Sequence, residues 1–157
     1  MKNSPSSAGS PNNIFPSFPL PLHYLEFRER VRYSETDQMG VAHNKSYFEW
    51  FELGRTEFCR KSGLSYRDIE AQGIFLVVAE AYCRYRKPLR YDDTFIIRVG
   101  LSEASARKIV FSYELRAVEG GLVIATGHTL HLPTNRRAEV CSLPEDILAK
   151  IKAAGHL

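Results

Sequence analysis

Cysteine is scarce in this chain of 157 residues: Cys59, Cys83 and Cys141 are widely spaced and odd in number. No C-x-x-C pair occurs, so neither a structural zinc site nor a disulfide framework is expected, and a reducing, cytoplasmic setting suits free thiols. Long apolar runs are missing as well. Nothing reaches membrane-spanning length, and the proline-rich start has no apolar stretch that would mark a signal peptide. An excess of one charge is also lacking. There are 21 Lys and Arg against 18 Asp and Glu, a net charge of +3, and no helix carries a basic stripe, so no nucleic-acid partner is expected.

What remains has the composition of one ordinary globular domain, 44% hydrophobic and 25% charged, enough to bury a real core. Residues 1–22 hold Pro5, Pro11, Pro16, Pro19 and Pro21 among serines and asparagines and read as a flexible tail, with Phe15, Phe18 and Leu20 available to dock on a partner surface. The domain itself is expected over 23–157.

The periodicity predicts a first strand over Glu26–Tyr33, then a helix over about Tyr47–Lys61. Ser46 followed by Glu49 has the spacing of a capping box, and Gly63 supplies a stop. Tyr47, Phe51, Gly54 and Phe58 share one helical face, so this helix is expected to be largely enclosed. A short helix follows over Ser65–Gln72. Strands are predicted over Ile74–Arg86, Thr94–Glu103, Lys108–Glu119 and Leu122–Leu132, with polar turns making hairpins, and Pro144 opens a last helix over Glu145–Ala153. In Thr94–Glu103, alternation sets Phe95, Ile97, Val99 and Leu101 on one face. The fold class is therefore α+β: an antiparallel sheet curved around one long central helix, which covers its apolar face.

The chemistry concentrates between the first strand and the long helix. Asp37, in T-D-Q-M-G-V-A-H-N-K-S-Y, lies just before a helix start. An ionisable carboxylate beside unpaired backbone N–H donors suits attack on a carbonyl, because those donors can hold the developing oxyanion. A capping or turn role for Asp37 competes with that reading on position alone.

This segment, with W-F-E-L-G-R after it and K-P-L-R-Y-D-D at Lys87–Asp93, resembles the hotdog-fold acyl-CoA thioesterases of the 4-hydroxybenzoyl-CoA thioesterase type. The likeness covers about Arg28–Pro133 and rests on Asp37, Gly40, His43-Asn44, Tyr47, Glu52 and Arg55. Where many bacterial members carry a second His, this chain has Asn44, so the resemblance points to Asp37 for catalysis, as general base or nucleophile. It implies that His43 and Asn44 shape the oxyanion and substrate-positioning site. It also implies a homodimer or homotetramer with the site at the subunit interface, an acyl-CoA substrate, and no cofactor beyond the coenzyme A of that substrate.

Coenzyme A brings phosphates, and Arg107-Lys108 and Arg136-Arg137 are the basic pairs placed to hold them, with Lys87 and Arg90 as further candidates. Glu52 and Arg55 are expected to form an internal ion pair or to bind backbone groups. Glu80, in an apolar strand, is expected to face the site across a subunit boundary. His128 and His131 are three apart in a strand and so point to opposite faces, which predicts no shared metal. Two other functions compete: a hotdog hydratase or dehydratase acting on enoyl thioesters, and a non-catalytic acyl-CoA or acyl-carrier binding protein.

Overall fold

The computed structural model describes residues 17–156. Five strands, β1 (Leu25–Arg30), β2 (Phe75–Tyr85), β3 (Thr94–Ser105), β4 (Lys108–Ala117) and β5 (Val123–Thr134), form one antiparallel sheet in the order β1-β3-β4-β5-β2. The helices are α1 (Asn44–Lys61), α2 (Tyr66–Ala71) and α3 (Glu145–Gly155), with a 3-10 turn at Tyr33–Glu35. β3–β4 and β4–β5 are the expected hairpins. β2 and β3 do not pair: the chain leaves β2 at one edge and re-enters beside β1 at the other.

The inner face carries the core. Phe95, Ile97, Val99 and Leu101 share it and are fully buried, and α1 lies across them. Trp50 packs on Phe95 with ring centroids 4.5 Å apart, and Phe51 stacks on Tyr113 at 4.2 Å. Each such side chain contributes roughly 1.5–3 kcal/mol by leaving water. Phe51 reaches this position because residue 127 has no side chain. A Cβ at Gly127 would meet Phe51 Cε2 at 2.6 Å and collide with the Tyr82 carbonyl.

The outer face is covered in part by the residues before β1. Pro21 sits against Gly100, the Ser102 hydroxyl donates to the Pro19 carbonyl at 3.4 Å, and Phe18 sets its edge on the His128 ring at 4.8 Å. Beneath this segment Ser112 and His128 are buried. Phe18 thus docks on its own sheet. Phe15 and the rest of 1–16 lie outside the described residues.

The two edges differ. β1 is short and alternates Glu26, Arg28 and Arg30 outward, with Glu26 paired to Arg98 and Arg30 to Asp92, which blunts it against further strands. β2 is 11 residues long and leaves Val77 and Val78 40% and 49% exposed beside a bulge at Val78/Glu80.

Candidate active site

Asp37 stands in a tight turn ahead of α1. Its N–H donates to the Val41 carbonyl and its own carbonyl accepts from Gly40, both at 2.9 Å, with Gly40 in the left-handed region at φ 77°. Asp37 Oδ1 accepts from the N–H of Met39 at 2.8 Å and of Val41 at 3.4 Å. The carboxylate therefore serves the turn with one oxygen. Oδ2 has no hydrogen-bond partner among the described residues. Asp37 lines a cavity of about 410 Å³ with His43, Asn44, Tyr47, Tyr85, Arg86 and Lys87.

The helix begins earlier than its sequence suggests, and a different residue caps it. His43 is the N-cap, and its Nδ1 accepts from the Lys45 N–H at 3.1 Å. Ser46 is buried inside the first turn, where its hydroxyl donates to the Glu35 carbonyl at 3.1 Å. That same carbonyl takes the His43 N–H at 2.8 Å, and the Ser46 N–H goes to the His43 carbonyl at 2.9 Å. The donors around the helix start are thus largely spent. The N–H of Asn44, first in the helix, has no acceptor within it. The Nδ1 and backbone N–H of His43 are thus used, while its Nε2 has no hydrogen-bond partner among the described residues and the exposed ring lines the cavity.

Glu35, which the sequence reading passed over, is the clamp behind this arrangement. Only 6% exposed, its carboxylate accepts from Trp50 Nε1 at 3.1 Å and from the N–H of Arg32 at 2.8 Å. A lone acidic residue near a strand end carries no distinctive signal; its burial under Trp50 exists only in the fold.

Tyr47 is in the core, as expected, and forms a cavity wall with Tyr85, edge to face at 4.8 Å. Burial, with Cys83 adding to it, pushes the Tyr47 phenol up to about 12, and burial pushes the Cys83 thiol up to about 12. Neither group is an available nucleophile near neutral pH. The Tyr85 hydroxyl donates to the Asn44 carbonyl at 3.2 Å and ties β2 to the helix start.

The basic residues lie at two ends of the sheet. Arg84, Arg86, Lys87 and Arg90 are exposed and have no ion-pair partner among the described residues; Arg86 and Lys87 line the cavity. Arg107-Lys108 and Arg136-Arg137 sit at the opposite end of the sheet, away from Asp37 by about the length of β2, roughly 33 Å. There Lys108 pairs with Glu103 at 2.6 Å and Arg137 with Glu139 at 3.0 Å, while Arg107 and Arg136 have no ion-pair partner among the described residues. Within one subunit the structure does not bring either pair to the cavity.

Other expectations also shift. Glu52 is exposed and makes no ion pair with Arg55; the helix turns it outward while Arg55 faces the sheet beside Tyr66 and Tyr113. Glu80 lies on the outer face at the β2 bulge, where its carboxylate meets His128 Nε2 at 2.6 Å. His128 and His131 do take opposite faces, the second among the inner-face residues. Among the described residues no group of side chains is placed to hold a metal ion.

The sequence pattern of the thioesterase-like superfamily matches residues 31–151. A crystal structure from Thermus thermophilus, 36% identical, superposes with a TM-score of 0.78 over 86% of this chain and 99% of that one. The DHNA-CoA thioesterase of Staphylococcus aureus, 28% identical, gives 0.76 over 85% and 93%. The acyl-acyl carrier protein thioesterase ATL3 of Arabidopsis thaliana is 33% identical over 91 residues, 56% of this chain and 48% of that protein. The fold is the hotdog fold, and the chain belongs to the thioesterase-like superfamily.

Proposed function

We propose that the protein hydrolyses acyl-CoA thioesters to free acid and coenzyme A, with Asp37 as the catalytic carboxylate. The observation that carries this is the pairing, at one cavity, of a carboxylate with an oxygen to spare and the Asn44 N–H at the helix start, which has no acceptor among the described residues. The thioester carbonyl sits over the Asn44 N–H, which holds the oxyanion as water or the carboxylate attacks. Arg86 and Lys87 at the cavity, with Arg84 and Arg90 nearby, take the phosphates of the carrier by charge-assisted hydrogen bonds. Membership of the thioesterase-like superfamily, and the chain's similarity to a DHNA-CoA thioesterase and an acyl-acyl carrier protein thioesterase, support this chemistry.

The working unit in this reading is a homodimer joined through the β2 edges, which are long, apolar and unpaired. Antiparallel pairing across a two-fold axis sets the Phe75 end of one β2 against the Tyr85 end of the other. Arg136-Arg137 of the second copy then approach the cavity of the first, which restores a phosphate role for that pair. The three cysteines are free thiols, in keeping with a reducing, cytoplasmic setting.

The test is release of free thiol from a panel of short, long and aromatic acyl-CoAs, by wild type and Asp37→Asn. The asparagine keeps Oδ1 for the turn, so the variant should fold and lose turnover. Full activity in Asp37→Asn removes Asp37 from the mechanism. Loss of enoyl-CoA ultraviolet absorbance without thiol release would instead mark a hydratase, and binding without release a carrier-binding protein.

A further inference from the structure

The inner row of β2 runs away from the cavity beside α1. Register places Tyr85, Cys83, Ala81, Val78 and Leu76 in it, opposite Ala125, Gly127, Thr129, His131 and Pro133 of β5. Tyr85 belongs to the cavity wall, and further along the row Val78 and Ala81 are exposed within one subunit. The row ends beside a polar cluster that the catalytic chemistry does not use. Arg55 of α1 lies there with Tyr66, Tyr113, Cys59 and His131.

The cluster has more donors than partners. Tyr113 Oη and His131 Nε2 both meet Thr129 Oγ1, at 2.7 and 2.9 Å. Tyr66 Oη and His131 Nδ1 are buried and make no hydrogen bond of good geometry among the described residues, although Arg55 lies close to the Tyr66 hydroxyl and the Leu76 backbone close to the His131 ring. Arg55 brings a guanidinium and no carboxylate pairs with it. Glu35, the buried charge at the other end of α1, has its donors in full. A cation and unpaired polar atoms enclosed together are costly unless something of opposite charge completes them.

We propose that this recess receives a carboxylate at the far end of the acyl group, so that the preferred substrates are CoA monothioesters of medium-length dicarboxylic acids. The inference rests on the thioesterase reading of the Asp37 cavity. Length follows from the helix: Asn44 to Arg55 is eleven residues, roughly 16 Å along the axis, beyond the reach of a single aromatic ring. The apolar row of β2 accommodates the methylenes, and Arg55 with the Tyr66 hydroxyl meets the terminal oxygens.

The experiment compares dodecanoyl-CoA with the mono-CoA thioester of dodecanedioic acid, using wild type, Arg55→Gln and Tyr66→Phe of the full chain. Wild type should favour the dicarboxylic thioester at least about tenfold in kcat/KM. Arg55→Gln should erase the preference by losing activity on that substrate alone, and Tyr66→Phe should reduce it. Should Arg55→Gln not fold, binding of free dodecanedioate against dodecanoate to wild type, followed by Trp50 fluorescence, decides the matter without a variant. Equal rates on the two thioesters, or equal losses on both in Arg55→Gln, overturn the recess and leave thioester hydrolysis standing. If no thioester is cleaved, the Asp37 reading falls, and the dodecanedioate titration judges the recess by itself.

Discussion

At the end of the sheet where β2 closes, Arg84, Arg86, Lys87 and Arg90 stand within seven residues and have no carboxylate partner among the described residues. At the other end the basic pairs look the same in sequence, yet one member of each is matched, Lys108 by Glu103 and Arg137 by Glu139, while Arg107 and Arg136 are exposed without an ion-pair partner among the described residues. The difference teaches that density of positive charge says little about anion binding. A cation already matched by a neighbour gains less from a phosphate than one left unmatched beside a cavity. The unmatched group is also the one that shares its cavity with Asp37.

The largest expected effect lies at the Asp37 end. Asp37→Ala should lower kcat by about 10³-fold or more while circular dichroism stays native, in the range of a lost acid–base group. Next is the edge that joins the two ends in the proposed dimer. Val78→Asp places a charge on the exposed β2 edge and should turn the dimer into a monomer in solution scattering, with activity falling in parallel. A dimer unchanged by that substitution would move the interface elsewhere.

A smaller effect is expected from reversing the unmatched cations. Arg86→Glu with Lys87→Glu should raise KM for acyl-CoA about 10- to 100-fold with kcat nearly kept, and the rise should shrink at high salt. The same reversal of Arg107 and Lys108 should leave KM where it is. If both double variants raise KM alike, the contrast between the two ends fails.

Towards the paired end, His131 offers a stability test. Burial first, and then the Arg55 charge, pull its imidazole down from 6.5 to about 4. The unfolded chain takes up this proton near pH 6.5 and the folded chain only near 4. Stability from this group is therefore whole above 6.5, falls as pH drops between those values, and levels off below. The gap corresponds to about 3 kcal/mol at most. Denaturant midpoints measured from pH 7 to pH 4 should show that decline, and His131→Leu should flatten it.

Much of the fold was legible because alternation and helical spacing are local. The Phe95, Ile97, Val99 and Leu101 row, the enclosed Phe51 face and the opposite directions of His128 and His131 all follow from periods of two and 3.6 residues. The path from β2 to the far edge was not legible, since nothing in Arg86–Asp93 says which strand comes to lie beside which. The helix cap was missed for a related reason. Ser46 and Glu49 have the spacing of a capping box, but Ser46 is drawn inward by the Glu35 carbonyl, and a histidine ring takes its place.

By itself, the sequence determined the order and type of the elements, the core faces, and the Asp37-to-Tyr47 segment whose pattern marks the family. These depend on residues near one another in the chain. Only the tertiary structure decided which donors at the helix start remain free, which cations are already paired, and that Arg55 turns inward without a carboxylate. Those are questions of which distant groups meet, and a hydrogen bond or ion pair is settled by what lies within a few ångströms.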